Sequence, residues 1–296
     1  MKVVLVAKET SFTRFVTEAQ DARTLELLDA KSPAVARLRS THDEHVATVE
    51  VLRGWLSKQP LDVLELQGNG GLELPPDAEL VVTVGGDGTF LATSRRLGRD
   101  VPVLGINSAP SSSVGFFCAG DKFNATELLG RAIEGTLGAT QLARMKVVHN
   151  GIVRTKRVLN EALFCHASPA ATTRYVLTLR SGTGREIASE EQKSSGIWVG
   201  PPAGSTAALR SAGGRILPLE ARRLQFVVRE PYQREGERIQ LRKRVLDARS
   251  AVEIISKTRR GRLFLDGEPA DPVELGDDLQ FSLSDEPLTV LGLDGR

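Results

Sequence analysis

The first 120 residues alternate short apolar runs with segments of helical spacing, and this alternation restricts the fold more than any other feature of the sequence. Residues 2–7 (KVVLVA) are continuously apolar, and residues 61–66, 79–84 and 101–106 are largely so. Such runs are typical of strands that a parallel sheet buries on both faces. Because helices must cover those faces, the pattern predicts an α/β domain with a Rossmann-like parallel sheet.

Three segments carry helix signals. Residues 41–58 place apolar side chains at helical spacing, and Thr41 with Glu44 resembles a capping box. Residues 89–98 close on an Arg-Arg pair and a glycine, which suit the C-terminus of a helix. Residues 121–135 predict one more helix, which can connect the first domain to the rest of the chain.

The character of the sequence changes after about residue 138. Short β-prone runs succeed one another there, separated by Asn-Gly, Gly-Thr-Gly and Asp-Gly turns, and long helical patterns are missing. This predicts a mostly antiparallel all-β C-terminal domain. We therefore expect an α/β domain over 1–120, a connecting helix over 121–137 and a β-rich domain over 138–296, whose last residues can return to the first domain.

Composition excludes several classes of protein. The 296 residues are 41% hydrophobic and 26% charged, which is ordinary for a globular chain with a real core. Residues 1–120 carry 12 Lys and Arg against 15 Asp and Glu, and the remainder carries 27 against 22, so the net charge is only +2. Without a basic stripe interleaved with aromatic residues, we expect no nucleic-acid partner.

The expected location is cytoplasmic. No apolar run approaches the roughly 18 residues that span a bilayer, so we expect no membrane partner. The N-terminal apolar run is too short for a signal peptide. Cys118 and Cys165 form no disulfide framework and suit a reducing compartment, where both are expected to be buried, unreactive side chains.

The strongest chemical signal is the loop Gly85-Gly86-Asp87-Gly88-Thr89, which comes after an apolar strand and leads into a helix. Glycines let the backbone approach phosphates, and a helix N-terminus attracts anions. A carboxylate at the carboxyl end of a parallel strand can accept a proton from an attacking hydroxyl or hold a metal ion. The alternative is a plain Asp-Gly turn, but such a hairpin would lead into a second strand rather than a helix.

The loop resembles that of a kinase superfamily that contains NAD kinases, diacylglycerol and sphingosine-type lipid kinases and, more distantly, phosphofructokinases. Phe90-Leu91-Ala92 comes next in the NAD kinase style, where lipid kinases usually carry an Asn-Glu pair. Further segments match NAD kinases in order over roughly residues 80–270. They are Gly105-Ile106-Asn107, Gly115-Phe116, Asn160-Glu161, the signature from Ser194 to Ala207, Ser211 to Gly214, and Leu265-Asp266-Gly267-Glu268.

The resemblance implies an enzyme that transfers the γ-phosphoryl group of ATP to the 2′-hydroxyl of the adenosine ribose of NAD, giving NADP. It implies that Asp87 is the general base, while Gly85, Gly86, Gly88 and Thr89 cradle the phosphates of ATP with Mg²⁺ or another divalent cation. It also implies a homodimer or homotetramer. The NAD-binding residues that it implies are Asp87, Gly88, Asn160, Glu161, Lys193, Ser195, Thr206, Ala207, Ala208, Ser211 and Glu268.

Several positions depart from the usual family pattern, among them residues 109–114, which replace the usual Gly-x-Leu lead into Gly115-Phe116. Ser195 replaces an Asp, Ala203 lies where a Thr-Pro-Thr-Gly run is usual, and Ala208 replaces a Tyr. They concern the NAD side of the reaction more than the phosphoryl transfer. Lys193 lies where NAD-preferring members tend to carry a charge, which favours NAD over NADH.

Two other functions remain open from the residues. A catalytically inactive sensor of NAD(P) would tolerate the altered signature, although it would not need the carboxylate of Asp87. A lipid kinase lacks support because no membrane-binding amphipathic stretch is present. Outside these motifs, His42 and His45 are three residues apart on the predicted helix, and we expect them on its solvated polar face rather than around a metal.

Overall fold

The computed structural model describes residues 1–68, 73–233, 236 and 238–294. The chain forms two compact units, one of residues 1–140 with 288–296 and the other of residues 141–287. The expected α/β and β architectures are both present, and the predicted fold class is confirmed. The predicted division into an α/β domain over 1–120, a connecting helix over 121–137 and a β-rich domain over 138–296 stays a prediction.

The first unit is built on a sheet whose central strands are buried except at half-buried Lys2. The apolar runs of the sequence form these strands as predicted, and they pair in parallel. The sheet order is β2-β1-β3-β4-β19-β6, and β5 also pairs with β4. The strands are β1 Lys2–Ala7, β2 Asp62–Gln67, β3 Leu80–Gly85, β4 Val103–Asn107, β5 Gly120–Asp121, β6 Ala139–Leu142 and β19 Leu288–Leu291.

The helices of this unit include the three predicted ones, with different ends. They are α1 Ala22–Asp29, α2 Leu38–Leu56, α3 Asp87–Ser94 and α4 Ala125–Ile133. The prediction of a capping box at Thr41 and Glu44 is wrong. Helix α2 starts three residues earlier, after Arg37, and no side chain caps it. Its Val49, Leu52 and Leu56 pack into the core against the sheet.

The second unit contains two antiparallel sheets that share one apolar core. Alternation of buried and exposed residues along their strands produces this arrangement. One sheet has the order β11-β10-β15-β18-β7-β8 and the other β14-β13-β12-β9-β16-β17. The strands are β7 Met145–His149, β8 Ile152–Val158, β9 Ala162–His166, β10 Thr173–Arg180, β11 Glu186–Ser194, β12 Gly196–Gly200, β13 Leu224–Arg229, β14 Lys243–Leu246, β15 Ala251–Ser256, β16 Gly261–Leu265, β17 Glu268–Val273 and β18 Asp278–Leu283.

The one-turn helix α5, Ala208–Ser211, comes after a 3₁₀ segment, Pro202–Thr206. No side chain caps either segment. Gly213, with φ of +86°, lies just after α5 as expected of a helix stop. Among the described residues, no helix combines the length and apolar character needed to cross a bilayer.

Candidate active site

The glycine-rich loop lies where β3 ends and α3 begins. Gly85 closes β3, Gly86 has extended backbone angles, and Asp87 is the first residue of α3. A Cβ at Gly85 would overlap the buried side chain of Thr89, so this glycine lets the helix start directly over the strand. Gly88 is exposed and open. The backbone of 86–88 can therefore approach a ligand, whereas the Thr89 side chain packs inward.

The carboxylate of Asp87 is fixed through one oxygen only. Its Oδ1 accepts a hydrogen bond from the backbone N–H of Phe117 at 2.9 Å. Its Oδ2 accepts none from the residues that the structure describes. The group is half-buried at the N-terminus of α3, where the helix dipole stabilises negative charge. This orientation leaves Oδ2 able to accept a proton or a hydrogen bond from a bound molecule.

A second loop, residues 109–115, lies against the glycine-rich loop. Asn107 at the end of β4 holds it, donating from Nδ2 to the carbonyl of Ser113 at 3.0 Å and accepting from the N–H of Ala109 at 3.3 Å. The Oγ of Ser113 fills the space in which a Cβ of Gly86 would stand. The sequence identified Asn107 only as part of a motif and gave no sign of this contact.

His45 is buried, with 6% of its surface exposed, so the expectation of a solvated face is wrong for this residue. Its ring packs inside the unit because α2 turns this position toward the end of β4, where Nδ1 meets Ser108 Oγ at 2.8 Å. His42 is half-buried and its Nδ1 lies 2.8 Å from Thr10 Oγ1. The charged residues between His42 and His45 in the sequence give no indication of these hydrogen-bond partners.

In the second unit, Asn160 and Glu161 lie between β8 and β9 and are both more than nine-tenths buried. Neither Asn160 Oδ1 nor Glu161 Oε2 has a hydrogen-bond partner among the described residues. Burial, and next the charge of Asp266, raises the pKa of Glu161 to about 7. Because buried polar atoms without partners are costly, this pair is suited to holding a polar ligand.

The signature segment packs closely on this pair. A Cβ at Gly200 or Gly204 would overlap the carbonyl oxygen of Asn160, so both glycines are required by the contact. Both are buried, and Gly204 belongs to the 3₁₀ segment after β12. The structure therefore brings the predicted Asn-Glu pair and the glycines of the signature together.

The other predicted NAD-binding residues surround this segment or lie further along the strands. Lys193 is on β11, with Nζ 4.4 Å from the ring centroid of Tyr232. Ser195 is half-buried and donates its N–H to the carbonyl of Arg229. Half-buried Thr206, Ala207 and Ala208 join the 3₁₀ segment to α5, exposed Ser211 ends α5, and exposed Glu268 begins β17.

Asp266 is a functional candidate that the sequence analysis did not select. The sequence places it only in the matched segment 265–268, within an Asp-Gly turn, and positive φ at Asp266 (+49°) and Gly267 (+82°) confirms the turn. Its carboxylate accepts hydrogen bonds from the backbone of residues 159–161. The separation of more than 100 residues hides this contact from sequence patterns.

Comparison with known proteins gives consistent relatives. The family model for the ATP-NAD kinase N-terminal domain matches residues 17–137. A probable NADH kinase of Oryza sativa subsp. japonica is 31% identical over 260 residues, which are 82% of this chain and 80% of that protein. An NAD kinase of Methanocorpusculum labreanum is 30% identical over 218 residues, 73% of this chain and 74% of that protein.

Two solved structures share the fold. An NAD kinase from Archaeoglobus fulgidus in complex with ATP has a TM-score of 0.65 at 20% identity and covers 98% of this chain and 93% of its own. Yeast NADH kinase complexed with NADH has a TM-score of 0.73 at 15% identity and covers 100% of this chain and 84% of its own.

The glycine-rich loop between β3 and α3, together with the fold and the relatives, identifies the chain as a kinase, an enzyme that transfers phosphoryl groups. A pure binding protein would have no use for a carboxylate that is oriented through one oxygen and open at the other. The chain belongs to the NAD kinase family.

Proposed function

We propose that this chain transfers the γ-phosphoryl group of ATP to the 2′-hydroxyl of the adenosine ribose of NAD, producing NADP and ADP. The oxygen of that hydroxyl bonds to the γ-phosphorus while the bond from the γ-phosphorus to the β–γ bridging oxygen breaks. The hydroxyl proton passes to Asp87 Oδ2, and the electron pair of the broken bond leaves with ADP.

The observation that carries the proposal is the half-satisfied carboxylate of Asp87. One oxygen is held by the N–H of Phe117, which orients the group, and the other makes no hydrogen bond among the described residues. A base must be fixed and must also expose a lone pair to the proton that it accepts. Asp87 meets both conditions beside a loop whose backbone a phosphate can approach.

Gly86, Gly88 and the first turn of α3 would hold the donor phosphates through backbone N–H groups. Thr89 supports this loop from below through its packing on Gly85, so we assign it a structural part in phosphate binding. Mg²⁺, or another divalent cation, would be bound as the complex with ATP and would neutralise phosphate charge.

The acceptor would be held by Asn160 and Glu161, whose buried, unpartnered oxygens support binding of a polar group. Ionised Glu161 would accept hydrogen bonds from ribose hydroxyls. The relatives include proteins named for NAD and proteins named for NADH. We propose NAD as the preferred acceptor, in agreement with the positive charge of Lys193, and we propose a cytoplasmic homodimer or homotetramer.

The test is an end-point assay of the purified chain with ATP, Mg²⁺ and either NAD or NADH, in which the phosphorylated product is quantified by chromatography. Asp87→Asn should keep the bond to Phe117 and lower kcat by about 10²–10⁴-fold, because the base is lost. Asp121→Asn is the matched control, since Asp121 also accepts a backbone N–H, that of Phe123, in the same unit.

Full turnover by Asp87→Asn would contradict the assignment of the base. Product from NADH but not from NAD would contradict the preferred acceptor. Calorimetric binding of NAD with no product from either dinucleotide would instead support a dinucleotide sensor. Light scattering of the purified chain tests the oligomer, and a monomer at assay concentration would contradict it.

A further inference from the structure

The carboxylate of Asp266 collects the backbone N–H groups of three consecutive residues. Its Oδ1 accepts from Asn160 at 2.7 Å, from Leu159 at 3.2 Å and from Glu161 at 3.3 Å. Its Oδ2 also accepts from Leu159, at 3.1 Å. Hydrogen bonds to an ionised acceptor are stronger than neutral ones, so this carboxylate is a firm anchor for the segment.

The backbone of Asp266 completes the attachment in the opposite direction. Its N–H donates to the carbonyl of Glu161 at 2.9 Å, so the turn both gives to and receives from residues 159–161. The left-handed conformation of Asp266 allows this reach, because φ of +49° belongs to the hairpin turn between β16 and β17. On its other side, the segment is confined by Gly200 and Gly204.

Charged groups of the second unit lie around this anchor. Asp266 is 8% exposed, and the fully buried guanidinium of Arg144 interacts with its charge. Arg144 Nε donates to the carbonyl of Glu286 at 2.6 Å, and the carboxylate of Glu286 pairs with Arg157. Glu161 therefore senses one buried negative charge, that of Asp266, while Arg144 partly compensates it.

We propose that Asp266 is a positioning residue for the dinucleotide: it holds the backbone of residues 159–161 so that the side chains of Asn160 and Glu161 face the bound acceptor. The inference rests on the proposed function, because it assigns those side chains to NAD. Asp266 does not itself touch the ligand. It acts by anchoring the segment and by placing a negative charge beside Glu161.

The alternative is a carboxylate that only stabilises a hairpin, and the two roles differ in their effect on pH dependence. Removing the charge of Asp266 lowers the pKa of Glu161, which that charge helps to raise. NAD binding, which requires ionised Glu161, strengthens as pH rises through this titration. The midpoint of that rise should therefore move to lower pH when the charge is removed.

The experiment is calorimetric titration of the whole chain with NAD, without ATP, between pH 5 and 9. Asp266→Asn should weaken NAD binding about tenfold or more at pH 8, as expected for loss of charged hydrogen bonds, and should lower the midpoint. Asp266→Glu keeps the charge and should return the midpoint toward the wild-type value. Glu161→Gln should abolish the rise of NAD affinity with pH. In the Glu161→Gln background, Asp266→Asn should weaken NAD binding much less than it does in the wild-type chain.

Asp247→Asn is the matched control. Asp247 also accepts hydrogen bonds from backbone N–H groups in the second unit, those of Arg249 and Ser250. The Asp247→Asn variant should bind NAD with an affinity within about twofold of the wild-type value. Circular dichroism of each variant shows that it is folded. If Asp266→Asn is folded and binds NAD with wild-type affinity and midpoint, or if Asp247→Asn has the same effect, the inference is overturned.

A readout without ATP separates this inference from the kinase reaction. A chain that binds NAD in an Asp266-dependent way but forms no product supports the positioning role and contradicts the proposed function. If the chain phosphorylates NAD but Asp266→Asn has no effect on NAD binding, the proposed function is supported and the positioning role is contradicted. A wild-type chain that binds no dinucleotide overturns the positioning role.

Discussion

Nδ1 of His45 lies 2.8 Å from Oγ of Ser108, inside the α/β unit. Ser108 donates its backbone N–H to the carbonyl of Gly85, at the start of the glycine-rich loop, at 3.1 Å. Thr48, one turn further along α2, donates to the carbonyl of Ser108 at 3.1 Å. Helix α2 is therefore connected by hydrogen bonds to the segment that supports the phosphate loop.

Stability should fall on mild acidification because of His45. Burial, and next the charges of Lys8 and His42, lowers the pKa of His45 to about 4 from 6.5. Between these values the unfolded chain binds a proton that the folded chain excludes, so stability is lost as pH falls through this window. The loss should approach about 3 kcal/mol near pH 4.

Urea unfolding at several pH values measures this loss. A Trp198→Phe background leaves Trp55, which packs on the core of the first unit, as the fluorescent reporter. His45→Gln should remove most of the pH dependence between 6.5 and 4, and His42→Gln should retain most of it, because burial is the larger cause of the low pKa of His45. An unchanged dependence in His45→Gln would disprove the explanation.

Gly204→Ala should damage the dinucleotide site. The added Cβ overlaps the carbonyl oxygen of Asn160, so the Asn160-Glu161 segment must shift. We expect about tenfold weaker NAD binding and a loss of about 1–3 kcal/mol in the free energy of unfolding. Gly184→Ala is the control, because its φ of +79° makes alanine costly while its surroundings are open. Calorimetry should show reduced affinity in Gly204→Ala alone.

Asn107→Ala should loosen residues 109–115 beside Gly86. Two hydrogen bonds are lost, those to Ser113 and Ala109, and about 1–3 kcal/mol of stability should go with them. The KM for ATP should rise several-fold, since the loop no longer supports the phosphate-binding backbone. Asn124→Ala, which loses the bond to the N–H of Asp121, should leave that KM unchanged. Equal KM values for the two variants would argue against a role for the loop.

Gly54→Ala should stabilise the protein. Gly54 is exposed within α2, and nothing lies within 4 Å of the Cβ that alanine would add. Alanine restricts the unfolded chain and favours the helix, so we expect a gain of about 0.5–1 kcal/mol. Thermal and urea unfolding measure it, and a loss of stability would show that this helix position is under strain.

The sheet of the first unit and the turns of the second were predictable because they depend on local patterns. Runs such as residues 2–7 and 79–84 are short, apolar and rich in valine, as buried strands are, and Asp266-Gly267 carries the residues of its turn type. Helix α1 was not predicted, because its eight residues give only a short apolar pattern and none of them is buried. The start of α2 was misplaced because Arg37 precedes it without a side-chain cap.

The chemistry of the site was predictable only where it is continuous in sequence. The loop of residues 85–89 combines glycines, a carboxylate and a helix start within five positions, which identifies an anion-binding loop. The partner of His45 and the anchor at Asp266 arise from contacts between distant segments, whereas Asn107 bonds to a loop only two to six residues away. No spacing rule relates residue 266 to residues 159–161, so only the fold could reveal them.

Strand β19 has a consequence for how the protein is made. It pairs with β4 in the sheet of the first unit, although it comes after the whole second unit along the chain. During synthesis, β4 leaves the ribosome about 180 residues before its partner, roughly ten to forty seconds at ordinary elongation rates. The part of its edge at Val103 and Leu104 stays unpaired for that interval, so the nascent chain exposes an apolar strand edge until β19 has been synthesised.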